Sequence, residues 1–392
     1  MCHHAATVLA QLLALLPEQQ FHVFVGQHNA DRYVKTLSCW NQLTVMFYAQ
    51  IAGKESLRDI VLGLRSLDSI WMDLGLKNVT RSTIAYANEH RPAKIYEALF
   101  SVFLQKCADI VPKENFSFSN ELRAIDSTTI DLCRTLFDRA KFRKTKGGIK
   151  LHTSLDVRRQ IPDVIVMTDA KTHDVKALKS IDLSQFPRGT IFILDRAYVD
   201  FALLWKITQA GHHFVTRKKE NQSIKKIAAH RKPAGQGVMN DERIIFSSQK
   251  GLQNYHGELR MVTYIDAETC HVYEFLTDLC SLSAMNIAKI YKARWQVEIF
   301  FKWVKGNLRI KSFFGASENA VRTQVWIAMI YYLLLVWLSA RVHPQRSPTE
   351  IARILKTIVL HEIPLFEVLC CKPETLDKLQ SDEKATQMRL PY

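Results

Sequence analysis

Eight residues, IFILDRAY (Ile191–Tyr198), constrain the fold most: four apolar side chains in unbroken series, then an acid and a base. A strand that is apolar on both faces must be covered on both faces, as a central strand of a helix-covered sheet is. Its neighbours in sequence agree. LRAIDSTTIDLC (Leu122–Cys133) is β-branched and alternating, and GGIKLHTSLDV (Gly147–Val157) and IPDVIVMTDA (Ile161–Ala170) are two more strands joined by a turn at Arg158–Gln160. THDVKALKSI and FALLWKITQAG read as helices, and HHFVTRKK as a further strand. Three hairpin-like strands, then alternating helix and strand, predict an α/β fold with a mixed sheet covered by helices.

The flanking regions differ. Residues 1 to about 115 read as helical, with apolar spacing in ADRYVKTLSCWNQLTVMFYAQIAG and a stop at Gly53. Thr80 or Ser82 is expected to cap a short helix ending before Pro92. Two short helices around GLKNVTRSTIAYA have the look of a helix-turn-helix, with Arg81, Ser82 and Thr83 starting the second. VPKENFSFSN (Val111–Asn120) reads as a linker. From about 220 to 282, ERIIFSSQK, GELRMVTYIDA and CHVYEFLTD read as antiparallel strands, and helix resumes near Ser283. The expected domains are therefore a helical domain over 1–115, whose helix-turn-helix look marks it for DNA binding, an α/β core over 120–219 and 283–342, a β-rich insertion over 220–282, and a helical tail over 343–392.

The chain has 392 residues and a formal net charge of +15. Such a basic excess favours a polyanionic partner, most simply nucleic acid, through counterion release. The eight cysteines include no C-x-x-C pair and have no zinc spacing, so they read as reduced thiols of a cytosolic protein. The start lacks the basic segment and small-residue cleavage site of a signal peptide. VWIAMIYYLLLVWLSA (Val325–Ala340) is shorter than the roughly 18 to 20 apolar residues a membrane span needs, and reads as a buried core helix.

YKARWQVEIFFKWVK (Tyr291–Lys305) carries the next signal. At about 100° per residue, Tyr291, Arg294, Glu298 and Lys305 fall within an arc of roughly 60°, with Lys302 near its edge. The remaining surface is mostly apolar, including Val297, Ile299, Phe300, Phe301 and Val304. An i,i+4 ion pair explains Arg294 and Glu298 but leaves Tyr291 and Lys305 to chance. Two further acids give Glu298 partners: Asp126 inside the first strand and Asp195 at the end of the apolar one. Carboxylates buried together on adjacent strands repel, and one takes up a proton unless a cation sits between them. Three such carboxylates make an all-oxygen site suited to Mg²⁺ or Mn²⁺. Two ions about 4 Å apart activate a nucleophile and stabilise the leaving oxygen in phosphodiester cleavage. Asp156, Asp163 and Asp169 read as strand-end and turn residues, and Asp200 as the cap of the helix starting at Phe201.

The order AIDSTTIDL, ILDRAYVD, then Y-x2-R-x3-E-x6-K resembles the motifs of IS4-family DDE transposases, and FRKTKGGIKLH also resembles members of that family. The resemblance covers about residues 120 to 340. It implies an RNase H-like core with a β-rich insertion, with Asp126, Asp195 and Glu298 holding two Mg²⁺ ions. It places Arg294 and Lys305 on phosphates near the transposon end, Tyr291 beside the terminal backbone, and a homodimer on two DNA ends. Some members of the family cut the second strand through a hairpin with a flipped base held by aromatic residues. Trp205 and Trp295 are candidates for that role here, against a simpler expectation of core packing for both. The protein is expected on the bacterial nucleoid in the cytoplasm.

Two basic clusters suit phosphate contacts that orient double-stranded DNA without reading sequence. Residues 139–150 include Arg143, Lys144, Lys146 and Lys150, and residues 217–232 include Arg217, Lys218 and Lys219. The expected function is Mg²⁺-dependent cleavage at transposon ends followed by strand transfer into target DNA. The rival readings are a nuclease of the same fold without strand transfer and a DNA-binding relative without catalysis.

Overall fold

A computed structural model describes residues 6–371, except 67, 78, 132–147, 170, 171, 173, 180, 231–235, 309–312 and 343–345. The helices before the sheet are α1 (Val8–Ala14), α2 (Glu18–Gln27), α3 (Cys39–Ala52), α4 (Leu57–Arg65), α5 (Asp68–Asp73), α6 (Arg81–His90) and α7 (Lys94–Ala108). Then come β1 (Leu122–Asp131), β2 (Gly148–Asp156), β3 (Ile161–Asp169), α8 (Asp174–Lys179), β4 (Ile191–Leu194), α9 (Phe201–Gln209) and β5 (His213–Arg217). They are followed by β6 (Ile224–Ala229), β7 (Val238–Phe246), α10 (Gln249–Asn254), β8 (Leu259–Ile265) and β9 (Val272–Thr277). The chain continues through α11 (Ala284–Ala293), α12 (Trp295–Asn307), α13 (Glu318–Arg341), α14 (Pro348–Ile358) and α15 (Leu365–Cys370).

The chain divides into two compact units. In the helical unit, α13 packs against α3, α6, α7 and α14. It is long and apolar enough to cross a membrane, but 94% of its apolar window is buried within the protein. Ser317 caps its start by accepting from Ala320 N at 3.1 Å. Gly53 ends α3 at φ +67°, a conformation that costs other residues a steric penalty. Thr80 caps α6 in a reciprocal box: Thr83 N donates to Thr80 Oγ1 at 3.2 Å, and Thr80 N to Thr83 Oγ1 at 2.9 Å.

The second unit is built on one nine-stranded sheet, ordered β3-β2-β1-β4-β5-β9-β8-β7-β6. β1, β2 and β3 pair antiparallel, and β1, β4 and β5 pair parallel. This order and these directions make the RNase H-like core. All four residues of β4 are buried, as its unbroken apolar run requires. Phe192, Leu194, Phe214 and Ile125 share one hydrophobic core with Leu203, Leu204 and Ile207 of α9.

The strands after residue 220 do not form a sheet of their own. β9 pairs antiparallel with β5, from Val215↔Thr277 to Arg217↔Phe275, and β8, β7 and β6 follow outward. Pairing with β9 satisfies an edge of β5 that would otherwise present open N–H and C=O groups. Two details depart from expectation. SSQK does not continue the strand: β7 stops at Phe246, and Ser248 caps α10 by accepting from Gly251 N at 3.1 Å. The basic segment after Arg217 contains β6, an edge strand exposed along most of its length.

Candidate active site

β1 positions the first acid. Alternation puts Ile125 in the hydrophobic core and Asp126 on the opposite face. Asp195 follows β4, the parallel neighbour of β1, and its Oδ2 accepts from Ala197 N at 3.2 Å in a short 3₁₀ turn. The third acid comes from the helices. α11 packs across β5, β7, β8 and β9, and α12 follows it.

Sequence periodicity treats α11 and α12 as one helix, but the structure breaks it at Arg294. Arg294 N donates to Tyr291 O and Val297 N to Arg294 O, both at 3.1 Å. These i→i−3 bonds tighten the junction, so the regular helical spacing of the stripe is interrupted at the residue that carries the guanidinium. Ile299 departs from expectation too: it is 48% exposed, while Val297, Phe300, Phe301 and Val304 are buried.

Arg294 is the electrostatic centre. Its Nη2 is 2.6 Å from Glu298 Oε1 and its Nη1 3.5 Å from Asp126 Oδ2. Asp195 acts on the same guanidinium. Burial pushes the Asp126 carboxyl up to about 6. The charges of Asp195 and Glu298 push the same way, against the Ser127 N–H and Arg294. The acids therefore share one electrostatic environment, in which the donor chemistry fits a hard divalent cation: all oxygen, with too little positive charge nearby. Among the described residues, no three His, Cys, Asp or Glu side chains stand close enough together to close around one ion. The Arg294 guanidinium lies between two of the carboxylates instead.

The basic residues separate. Lys302 is exposed on α12. Lys305 lies in the last turn of that helix, in the other compact unit. Lys150 is drawn into a polar cluster: its Nζ is 2.6 Å from Asp174 Oδ1, which also accepts from Ser127 Oγ at 2.6 Å. Lys218 pairs with Glu274 at 2.6 Å, and Lys219 donates to Val199 O at 3.0 Å. Arg143, Lys144 and Lys146 lie outside the described residues.

Arg217 leads to a feature the motifs do not announce. Its guanidinium lies 4.8 Å from the Tyr273 ring centre, Tyr273 and Phe275 are parallel at 5.9 Å, and Phe275 meets Tyr291 at 4.9 Å. These residues line a cavity of about 580 Å³ together with Trp295 and Arg294. Trp295 is 59% exposed, against the expectation of core packing. Trp205 does pack, edge-on against Tyr255 at 5.2 Å. The i,i+2 aromatics of CHVYEFLTD were the available signal for this row. Aromatics at that spacing are ordinary in strands, so the spacing alone carries no function.

An RNase H-like sheet with one acid on β1 and another just after its parallel neighbour β4 has the architecture of a metal-dependent phosphoryl-transfer enzyme. The family described as transposase DDE domain matches residues 117–334, more than half of the chain. The chain belongs to that family: it is a DNA transposase, an enzyme of the polynucleotidyl transferase and endonuclease type that uses divalent metal ions. A domain of unknown function, DUF4372, matches residues 4–77. Among curated relatives, one named as transposase y4zB of Sinorhizobium fredii is 31% identical, over 64% of this chain and 69% of its own. One named for insertion sequence element IS5377 of Geobacillus stearothermophilus is 30% identical, over 67% and 68%. One named for element IS4SA of Synechocystis is 26% identical, over 69% and 75%. A solved piggyBac transposase synaptic complex with hairpin DNA is similar at TM-score 0.46 and 12% identity, over 97% of this chain and 85% of that one.

Proposed function

We propose that the protein cuts DNA at the ends of an IS4-type element and joins the freed 3′ hydroxyl to target DNA, with Asp126, Asp195 and Glu298 as the metal-holding residues. The observation that carries this reading is the bridge Arg294 makes between Asp126 on β1 and Glu298 on α12, with Asp195 ending the neighbouring strand β4. Mg²⁺, with Mn²⁺ able to substitute, would activate the attacking oxygen and stabilise the leaving one. The chain's own residues position the DNA. Arg294 offers two donors to a phosphate, Tyr291 approaches the terminal backbone, and Lys302, Lys305 and Arg217 add charge. The working form is a homodimer on two ends, acting in the cytoplasm at the nucleoid, with residues 1–115 helping to bind the ends.

The cavity beside Arg294 favours a second-strand step that displaces a terminal base. Trp295, with the half-buried rings of Tyr273 and Tyr291, offers flat faces on which a base gains about 1–3 kcal/mol by stacking, and the buried Phe275 backs them.

The test is cleavage of a duplex element end with Mg²⁺. Asp126→Asn, Asp195→Asn and Glu298→Gln are each expected to abolish cleavage while end binding persists. Survival of cleavage in any one of them rejects the site. Trp295→Ala should leave first-strand nicking intact and slow the second-strand step; equal rates for both steps would remove the base-holding role.

A further inference from the structure

One side chain stands where the carboxylates need a cation. Arg294 contacts Glu298 and Asp126 at once, its side chain is only 14% exposed, and its Nε is buried without a hydrogen-bond partner. Guanidinium carries five N–H donors in a rigid fork. Here the terminal nitrogens serve two carboxylates and the Nε–H is idle, so the fork is engaged but unsatisfied. It sits at the turn between α11 and α12, beside the Tyr291 ring, 5.8 Å from its centre. The aromatic cavity also opens onto Arg294.

We propose that Arg294 is an exchangeable counter-ion: it neutralises Asp126 and Glu298 in the metal-free protein and releases them to metal when a DNA phosphate takes up its guanidinium. This inference rests on the ligand roles proposed above. A guanidinium and a divalent ion compete for the same oxygens, so metal binding must displace the side chain. A phosphate that receives the displaced fork lowers the cost of that exchange, because a phosphate accepts a bidentate guanidinium as a carboxylate does. Linkage then requires that DNA raise metal affinity and that metal raise DNA affinity by the same factor. Away from DNA, the protein is held in its weakly metal-binding form.

Calorimetric titration of Mn²⁺ into the DNA-free full chain tests this directly. Arg294→Ala is expected to bind Mn²⁺ about tenfold more tightly than wild type, within the usual span of coupling between sites. The gain in Mn²⁺ affinity on adding an uncleaved duplex end should shrink in that variant. Arg294→Lys, whose single ammonium cannot span both carboxylates, should fall between the two. If Arg294 merely props the acids in place, both variants bind Mn²⁺ equally or more weakly, and the proposal is overturned. Thermal unfolding checks that each variant is folded; if Arg294→Ala is not, Arg294→Lys decides. Asp126→Asn keeps the two readings apart: if it binds Mn²⁺ as wild type does, the ligand assignment fails, whatever Arg294 does.

Discussion

Asp126 shows how one position can serve two demands. The strand fixes its backbone in the sheet, and burial makes its charge costly, so its carboxyl titrates near 6 rather than near 3.8. The sign follows from which state holds the proton. The metal-free fold binds it more tightly than the unfolded chain does, so this group's contribution to stability declines as pH rises from about 3.8 through about 6. A metal ion needs the same oxygens bare, so its affinity should rise over that window and level off above it. Mn²⁺ binding at pH 5 is expected to be about tenfold weaker than at pH 7.5, measured by calorimetry; a flat profile would show that Asp126 holds no metal. The acid positions were legible because an acid inside or at the end of an otherwise apolar strand is costly and needs a reason. The interruption at Arg294 was not, because helical spacing runs through the junction and two i→i−3 hydrogen bonds leave no mark on composition.

Among the elements, the joint between the added strands and α11 rests on a buried ion pair. Arg260 of β8 is fully buried and makes two 2.7 Å bonds to Asp241 of β7. It also donates to Leu279 O at 3.0 Å and Leu282 O at 2.6 Å, just ahead of the helix that carries Tyr291. Arg260→Met leaves Asp241 charged and alone, so chemical denaturation should register a loss of about 3–5 kcal/mol. Replacing both partners with apolar residues should recover most of it. The strands and helices of the core were readable from period and stop signals. Their continuity with the later strands was not, since pairing β5 with β9 is a choice between distant segments that local pattern cannot express.

Across the whole molecule the basic excess has to be divided between contacts already made and charge left free. Lys150 and Lys218 have carboxylate partners within 2.6 Å, whereas Lys302 is exposed. Binding to duplex DNA should weaken with salt, and Lys302→Ala should lower the slope of log K against log[salt] by about 1. Lys218→Ala should change that slope by less, and equal changes in the two would show that the pairing with Glu274 is irrelevant on DNA. The continuous sheet also sets an order of events during synthesis. Thr216 of β5 finds its partner in Leu276, about 60 residues later in the chain. At roughly 5–20 residues per second, a ribosome leaves the half-built sheet with a raw border for several seconds. The nascent chain is then most prone to pair with the wrong neighbour, and that hazard ends only when β9 emerges.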